Sequence, residues 1–408
     1  MSYMDILYGI DNPLFMDLKN DKTYLKETLI PWLFKYILTL GKIKRFNQPI
    51  DEYLETITDN PILIDMIAQH FFAKTPAFFA LSYFSLYLDY QYPKGGTGSL
   101  IEALRSYIIL NGGTIKNKTT VTAINVSSQT IQTDNNNEFK YKQLIWCADT
   151  KALYTISNTE GLRLREKKRI NQYKQLIKNK RGGDSVLTLF ATSNIDASFF
   201  SSHHTAHFFY TPIKKGIGMN PMNNIKNQNG GFINSKEKLF NWIKEYLTLT
   251  TFEISIPCLR DHALAPEEKT GLIISTLFNY DLVEHLRHLN LYDEAKLYIA
   301  KIIITLLSEY LYPNFESSIE SSFISTPHTI ASLTGNSDGA ITGWSFTNGK
   351  IPAIREMPKI AKSVITPMPN ILQAGQWTYS PSGLPISMLT GKLAADRAIK
   401  KISRQRQD

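Results

Sequence analysis

At Gly113 the apolar pattern changes period, and that switch restricts the chain to folds that mix helices with sheet. Before it, apolar residues recur every three or four positions, as in helices packed by one face. Leu25, Leu29, Trp32, Leu33, Tyr36 and Leu40 form such a stripe over Tyr24–Phe46, with Pro31 near its start, and Pro61–Phe72 repeats the pattern. Tyr92-Pro-Lys-Gly-Gly-Thr-Gly98 is a turn cluster that opens another helix. There Ser99 and Glu102 have capping-box spacing, and Leu100, Leu104, Tyr107 and Ile108 are expected to be its buried stripe. Asn111-Gly-Gly113 ends it. Beyond Gly113 the period becomes two: Thr114–Val126 is β-rich, Thr130–Thr133 and Glu138–Tyr141 flank a turn, and Gln143–Ala148 reads as a short buried strand. Asn370–Gly375 is another strand, and a final helix runs from Pro385 to about Ile402. The expected class is α/β, in the mixed α+β sense, without internal repeats.

Composition excludes several classes. No apolar run reaches the ~18 residues of a membrane-crossing helix; Leu29–Gly41 is broken by Lys35, and Thr75–Leu88 is too short. The first residues lack a signal-peptide layout, and two cysteines, Cys147 and Cys258, make neither a disulfide framework nor a zinc cluster. A cytoplasmic protein is expected. The net charge of +9 is local, because Arg163–Arg181 holds nine Lys/Arg and one Glu. Ile170, Tyr173 and Ile177 fall on one helical stripe there, with cations over the rest. A solvated helix face is the ordinary reading of such a run. Contact with an anionic membrane surface is the sharper one, since each engaged cation gains ~1 kcal/mol. No nucleic-acid motif accompanies it.

Most chemistry-bearing motifs fail on their context. A dinucleotide fingerprint needs Gly-x-Gly-x-x-Gly between strand and helix; Gly96-Thr-Gly98 and Gly216-Ile-Gly218 both lack the third glycine. Gly335-Asn-Ser-Asp-Gly339 has the spacing of a nucleophile elbow, but Ala340–Phe346 after it reads as a strand where a helix is required. His203, His204 and His207 have no acid near in sequence to complete a metal shell, and Cys147 is read as a small buried hydrophobe. No catalytic side chain and no metal ligand stands out. Two glycine constellations remain. In Tyr92-Pro-x-Gly-Gly96, two free amides and a helix start favour an anion. Ala374-Gly-Gln-Trp377 and Ser382-Gly-Leu-Pro385 follow a strand and open the last helix, where Gly391, Ala395 and Ala398 form a small-residue stripe.

Taken as a set, these pieces resemble the phytoene desaturase and carotenoid isomerase group of flavin-dependent oxidoreductases, within the amine oxidase superfamily. The resemblance is carried by Tyr92–Leu100, by Gly112-Gly113 with Val121 and Ile124, and by Trp146-Cys-Ala-Asp149. It continues through Arg260-Asp-His-Ala-Leu-Ala-Pro266 with Lys269–Leu272, Thr326-Pro327, Gly339, Ala374–Trp377, Gly383–Pro385 and Gly391–Ala395. It implies a two-domain flavoprotein-like fold with an incomplete FAD-binding domain. Residues 91–150 and 340–408 would form the FAD side, 151–339 the substrate domain and 1–90 its helical part. The cofactor contacts it implies are Gly95, Gly96, Val121, Ala148, Gly375, Gln376, Gly383, Leu384 and Pro385, with Gln376 standing where an acid is usual.

In that family a βαβ unit bearing the dinucleotide fingerprint precedes the stretch seen here. One helix N-terminus gives an anion ~0.3–1 kcal/mol, whereas micromolar binding needs ~8 kcal/mol. Weak or no FAD retention by this chain alone is therefore expected, with a companion polypeptide or a missing N-terminal segment supplying the rest. The implied activity is flavin redox chemistry on a large apolar polyene or isoprenoid substrate, a desaturation, saturation or isomerisation. Two other readings stand beside it: a non-catalytic subunit that binds a partner flavoprotein or lipid, and an amine-oxidase-type flavoenzyme.

Overall fold

The computed structural model describes residues 21–35, 46–86 and 91–404, and the chain divides into two compact units, 1–91 and 92–408. Tyr36, Leu40 and part of the Thr75–Leu88 run lie outside the described residues.

In the smaller unit, Lys22–Tyr24 leads into a π-helical turn, Leu25–Leu29, in place of a regular helix start. Helices α1 (Ile50–Glu55), α2 (Pro61–Ala68) and α3 (Ala77–Leu86) follow. Asn60 caps α2 by accepting from the Ile62 and Leu63 amides, and Pro61 occupies the first turn, where no amide partner is needed. Ile50, Leu54, Phe71, Ala77 and Ala80 form the core of this unit.

The larger unit opens with α4 (Gly98–Leu110) and a sheet in the order β3-β2-β1-β5, made of β1 (Val121–Asn125), β2 (Thr130–Thr133), β3 (Glu138–Lys140) and β5 (Ser157–Asn158). Of the β-rich stretch Thr114–Val126, only the last part is strand. Two helices accompany this sheet: α5 (Thr150–Ile156) and α6 (Leu164–Lys178). Ile170 and Ile177 of α6 are buried beside Ile124, Leu153, Trp344 and Trp377, so the inward stripe read from the sequence is the packed one. Residues of α5 and α6 thus share a core with β1.

The second sheet is fully antiparallel, in the order β10-β6-β9-β8-β7. Its strands are β6 (Ser185–Ser193), β7 (His207–Tyr210), β8 (Phe252–Ser255), β9 (Thr270–Phe278) and β10 (Ile319–Ser325). β9 buries every second residue, from Thr270 to Phe278, as a one-faced sheet requires. That face packs on α7 (Ala197–His203), α8 (Lys236–Leu249), α9 (Tyr280–His288) and α10 (Tyr292–Tyr310), forming the largest core among the described residues.

The third sheet is small and parallel: β4 (Leu144–Trp146) beside β11 (Ile371–Gln373), in register Leu144↔Ile371 to Trp146↔Gln373. The last helix, α11 (Leu384–Arg404), lays Ala394 and Leu393 on Ile145 and Leu372. Its packed small residues are Ala394 and Ala398, with Thr390 a turn before; Gly391 has open space where a Cβ would stand. No helix among the described residues is long and apolar enough to cross a membrane.

Four further expectations are corrected. Ala340–Phe346 forms turns held by one bridge, Gly182 to Trp344, and Gly343 is pressed against neighbouring backbone: a Cβ there would lie 2.1 Å from the Gln376 carbonyl oxygen. The stripe expected to be buried on α4 is open, with Leu104, Tyr107 and Ile108 exposed. Cys147 is exposed, since β4 ends at Trp146 and leaves it past the strand. The capping box does not form. Ser99 lies inside the first turn and donates back to the Gly96 carbonyl, while Glu102 pairs with Arg105.

Candidate functional site

Parallel strands end side by side, and ligands of such sheets bind at the crevice beyond those carboxyl ends. Here the two ends are Trp146–Ala148 after β4 and Gln373–Gln376 after β11. Gly375 has φ +93°, a conformation open to glycine, and a Cβ there would stand 3.5 Å from the Cys147 carbonyl oxygen. Its amide donates to Thr390 Oγ1 at 3.0 Å, tying the strand end to α11. Ala148 is exposed, Val121 sits at the start of β1, and Leu384 and Pro385 are exposed at the first turn of α11. Gly383 has little around it, its Cβ position lying 3.9 Å from Pro385 Cδ.

A scaffold that the motif reading passed over fixes this crevice. Asp149 is buried; its carboxylate accepts from the Ala152 amide at 3.1 Å, capping α5, and from the Ser337 amide at 2.8 Å. Asn336 in turn accepts from Trp377 Nε1 at 3.3 Å, and Trp344 Nε1 donates to the Trp377 carbonyl at 3.0 Å. The two indoles meet edge to face at 4.9 Å. The Gly335–Gly339 turn, rejected above as a nucleophile elbow, is the strut of this network. Only the pairing of tryptophans with glycines in the sequence hinted at it.

The Tyr92–Gly96 turn is latched elsewhere. Gly95 N–H donates to Asp261 Oδ2 at 2.7 Å, Leu264 lies over Gly96, and the Arg260 guanidinium stands 5.4 Å from the centre of the Tyr92 ring. Two segments that the sequence reading treated as separate motifs, 166 positions apart, meet here. The Gly95 N–H, then the Ala263 N–H, holds the Asp261 carboxyl below its ordinary range. Gly96 N–H is also committed, to the Pro93 carbonyl at 3.0 Å. The reading of two free amides is therefore corrected: a carboxylate and a carbonyl of the chain itself already fill them.

A dinucleotide cofactor would need donors for its pyrophosphate. The amides of Gly95, Gly96 and Gly375 all have protein acceptors. The residues present do not fit the phosphates, so no chemical step is derived through the cofactor. His207 Nε2 meets Glu253 Oε1 at 2.8 Å, an acid that sequence distance concealed, and no metal-binding group of His, Cys, Asp and Glu occurs among the described residues.

No protein-family model and no curated protein sequence matches the chain. Solved structures do. An oxidoreductase from Methanosarcina mazei superposes with a TM-score of 0.54 at 11% identity, over 98% of this chain and 75% of that one. Putrescine oxidase bound to putrescine gives 0.53 at 13% identity, over 98% and 73%. Reduced UDP-galactopyranose mutase matches 58% of this chain, which spans 39% of that protein, at a TM-score of 0.38, too low to carry an argument, and 12% identity. At these identities the likeness is one of fold: the chain has the mixed α/β fold of these oxidoreductases.

Proposed function

We propose that this chain belongs to a flavin-dependent oxidoreductase acting on a large apolar substrate of polyene or isoprenoid type, with the flavin ring at the crevice beyond β4 and β11 and the pyrophosphate held by donors other than the Gly95, Gly96 and Gly375 amides. The observation that carries the reading is the parallel pair itself. Its carboxyl ends, the glycine turn at Gly375 and the helix that follows stand where an α/β sheet takes its ligand, in a fold shared with oxidoreductases. The amine-oxidase reading stands second, favoured by the likeness to putrescine oxidase. Purified chain is titrated with FAD and followed by flavin absorbance and melting temperature. FAD that neither binds nor shifts melting, even with the companion polypeptide present, ends both readings. Where flavin is held, bleaching by a polyene but not by putrescine supports the first, and the reverse supports the second.

The same reading gives α6 a role. Among the described residues, none of the cations from Arg163 to Lys180 has an ion-pair partner, whereas Arg181 is shared by Asp281 and Asp338. Glu166, the one acid of the run, accepts from the Arg163 amide at the helix start. Leu164 is 85% exposed among these charges. An anionic bilayer, the solvent of an isoprenoid, suits that face. We expect salt-sensitive sedimentation with anionic liposomes, lost when Lys167, Lys168, Arg169 and Lys174 become Glu, because screening shortens from ~10 Å at 0.1 M salt to ~3 Å at 1 M. Unchanged sedimentation of that variant returns α6 to a solvated face.

A further inference from the structure

A second set of reactive side chains joins the helix Pro327–Thr334 to α9. Thr326 caps that helix by accepting from the Thr329 amide, and Pro327 fills its first turn. Tyr292, at the start of α10, holds the cap in place: its Oη meets Thr326 Oγ1 at 2.8 Å. The Tyr292 ring also meets the His328 ring edge to face, with centres 5.6 Å apart. Ser332 lies one helical turn beyond His328, on the same face. Its Oγ stands 3.0 Å from His328 Nε2. The other ring nitrogen, Nδ1, stands 2.8 Å from Glu284 Oε1 on α9. That acid precedes the histidine by 44 positions, so no local motif could show it.

These contacts fix the protons. A carboxylate only accepts, so Nδ1 carries the ring hydrogen and Nε2 keeps its lone pair. Ser332 Oγ–H is then the donor to Nε2. Glu284 is held in turn, its Oε2 accepting from Arg287 Nη1 at 2.8 Å. His328 and Glu284 are only 25% and 21% exposed, which shields their bond, while Ser332 is exposed to an incoming molecule. A hydroxyl, a base within hydrogen-bond reach and an acid that orients the base are what make a serine nucleophilic, whatever their order in the chain. The amides nearby are committed. That of Ser332 belongs to the helix, the Gly335 amide donates to the Ala331 carbonyl at 2.9 Å, and the Asn336 amide donates to Thr334 Oγ1 at 3.2 Å. Amides aimed at a developing oxyanion are worth about 10²–10³ in rate, and these are spent elsewhere. The site therefore suits esters with good leaving groups, which need that help least.

We propose that Ser332, His328 and Glu284 form an acyl-transfer site, at which Ser332 accepts the acyl group of an activated carboxylic ester. Ser332 Oγ bonds to the carbonyl carbon while its proton passes to His328 Nε2. The bond from that carbon to the leaving oxygen then breaks, and Nε2 gives the proton to the departing alcohol. In the second half, water attacks the acyl-serine. Its proton passes to Nε2 and on to Ser332 Oγ as the acid leaves. One ester and one water thus become one acid and one alcohol, with the serine restored. Glu284 is a positioning residue: it holds the ring in the tautomer that leaves Nε2 able to accept. The site does not rest on the flavin reading.

The full chain is treated with an alkyl fluorophosphonate, which loses fluoride when an activated serine attacks its phosphorus, and the modified peptide is identified by mass. The expected product is one phosphonate on Ser332, formed at least about a hundredfold faster in the native chain than in chain unfolded in urea. His328→Ala should slow it by about the same factor. The native chain should also release p-nitrophenolate from p-nitrophenyl acetate, and Ser332→Ala should lose that release while keeping its melting temperature. Glu284→Ala should slow labelling at least about tenfold. Nitrogen NMR of the His328 ring separates positioning from mere support: the hydrogen should sit on Nδ1 in the native chain and leave it in Glu284→Ala. A label on other residues, or one on Ser332 no faster than in unfolded chain, overturns the proposal. So does labelling at the native rate by His328→Ala or Glu284→Ala, a native ring without its Nδ1 hydrogen, or ester cleavage that survives Ser332→Ala. Added FAD should change neither rate, so failure here and failure of the flavin reading are read separately.

Discussion

The antiparallel sheet and the parallel pair of the larger unit both bury apolar residues, and they differ in what completes them. The antiparallel sheet β10-β6-β9-β8-β7 closes its buried face with α8, α9 and α10 from the same chain, and Leu239, Ile254, Ile274 and Ile303 lie at zero exposure there. The parallel pair β4–β11 has covered faces and one open flank. In the antiparallel sheet β6 draws both partners, β9 and β10, from far along the chain, so its closure comes from the helices that cover its face and not from short connections. Stability should therefore concentrate in the first sheet and capacity for binding in the second.

Breaking the closed core gives the largest effect. Ile274→Ala, at zero exposure in the middle of β9, should cost about 4 kcal/mol, within the range for large-to-small core changes. Denaturant unfolding measures it, and a cost below about 1 kcal/mol would deny that this sheet is the stable half. Next comes the strut under the crevice. Asp149→Ala removes acceptors for the Ala152 and Ser337 amides, and losing one charged hydrogen bond and a cap should cost about 3 kcal/mol. Exchange should quicken at Ser337 before it does in β9.

The Asp261 latch gives a smaller, pH-dependent effect. Its carboxyl is held below the ordinary range by the Gly95 amide first. The contribution is thus complete above the unfolded carboxylate value of ~3.9, and is lost as pH falls through the lowered native value. Gly95 amide exchange, corrected for intrinsic rates, should show protection that fades only in acid; Asp261→Ala should abolish it at every pH. The smallest effect sharpens the contrast most. Ile108→Glu on α4 should change the stability of the isolated chain by no more than about 0.5 kcal/mol, as at an ordinary surface site. A large loss would mean that α4 is already covered.

Local signals were readable where local chemistry suffices. β2 falls on Thr130–Thr133 as its alternation indicates, α6 turns Ile170 and Ile177 inward, and the last helix spans nearly the expected residues. Helix starts were less legible: Ser99 and Glu102 have the right spacing, but after the turn at Gly95–Gly96 the cap falls on Thr97, two positions earlier, and spacing alone cannot report that. The glycine constellations were found as sequence, yet the state of their amides was not. The Gly95 amide is filled by a carboxylate 166 positions away, an acceptor that no local pattern names.

By itself, then, the sequence determined the periods, the turns and the apolar faces of strands and helices, because each follows from residues within one or two turns of the chain. Only the tertiary structure decided which motifs meet, that Asp149 and the Gly335–Gly339 turn brace the crevice, and that α4 and the edge of β4 remain uncovered. Burial and pairing are properties of the partner as much as of the segment, and an apolar stripe states a need for cover without saying where the cover comes from.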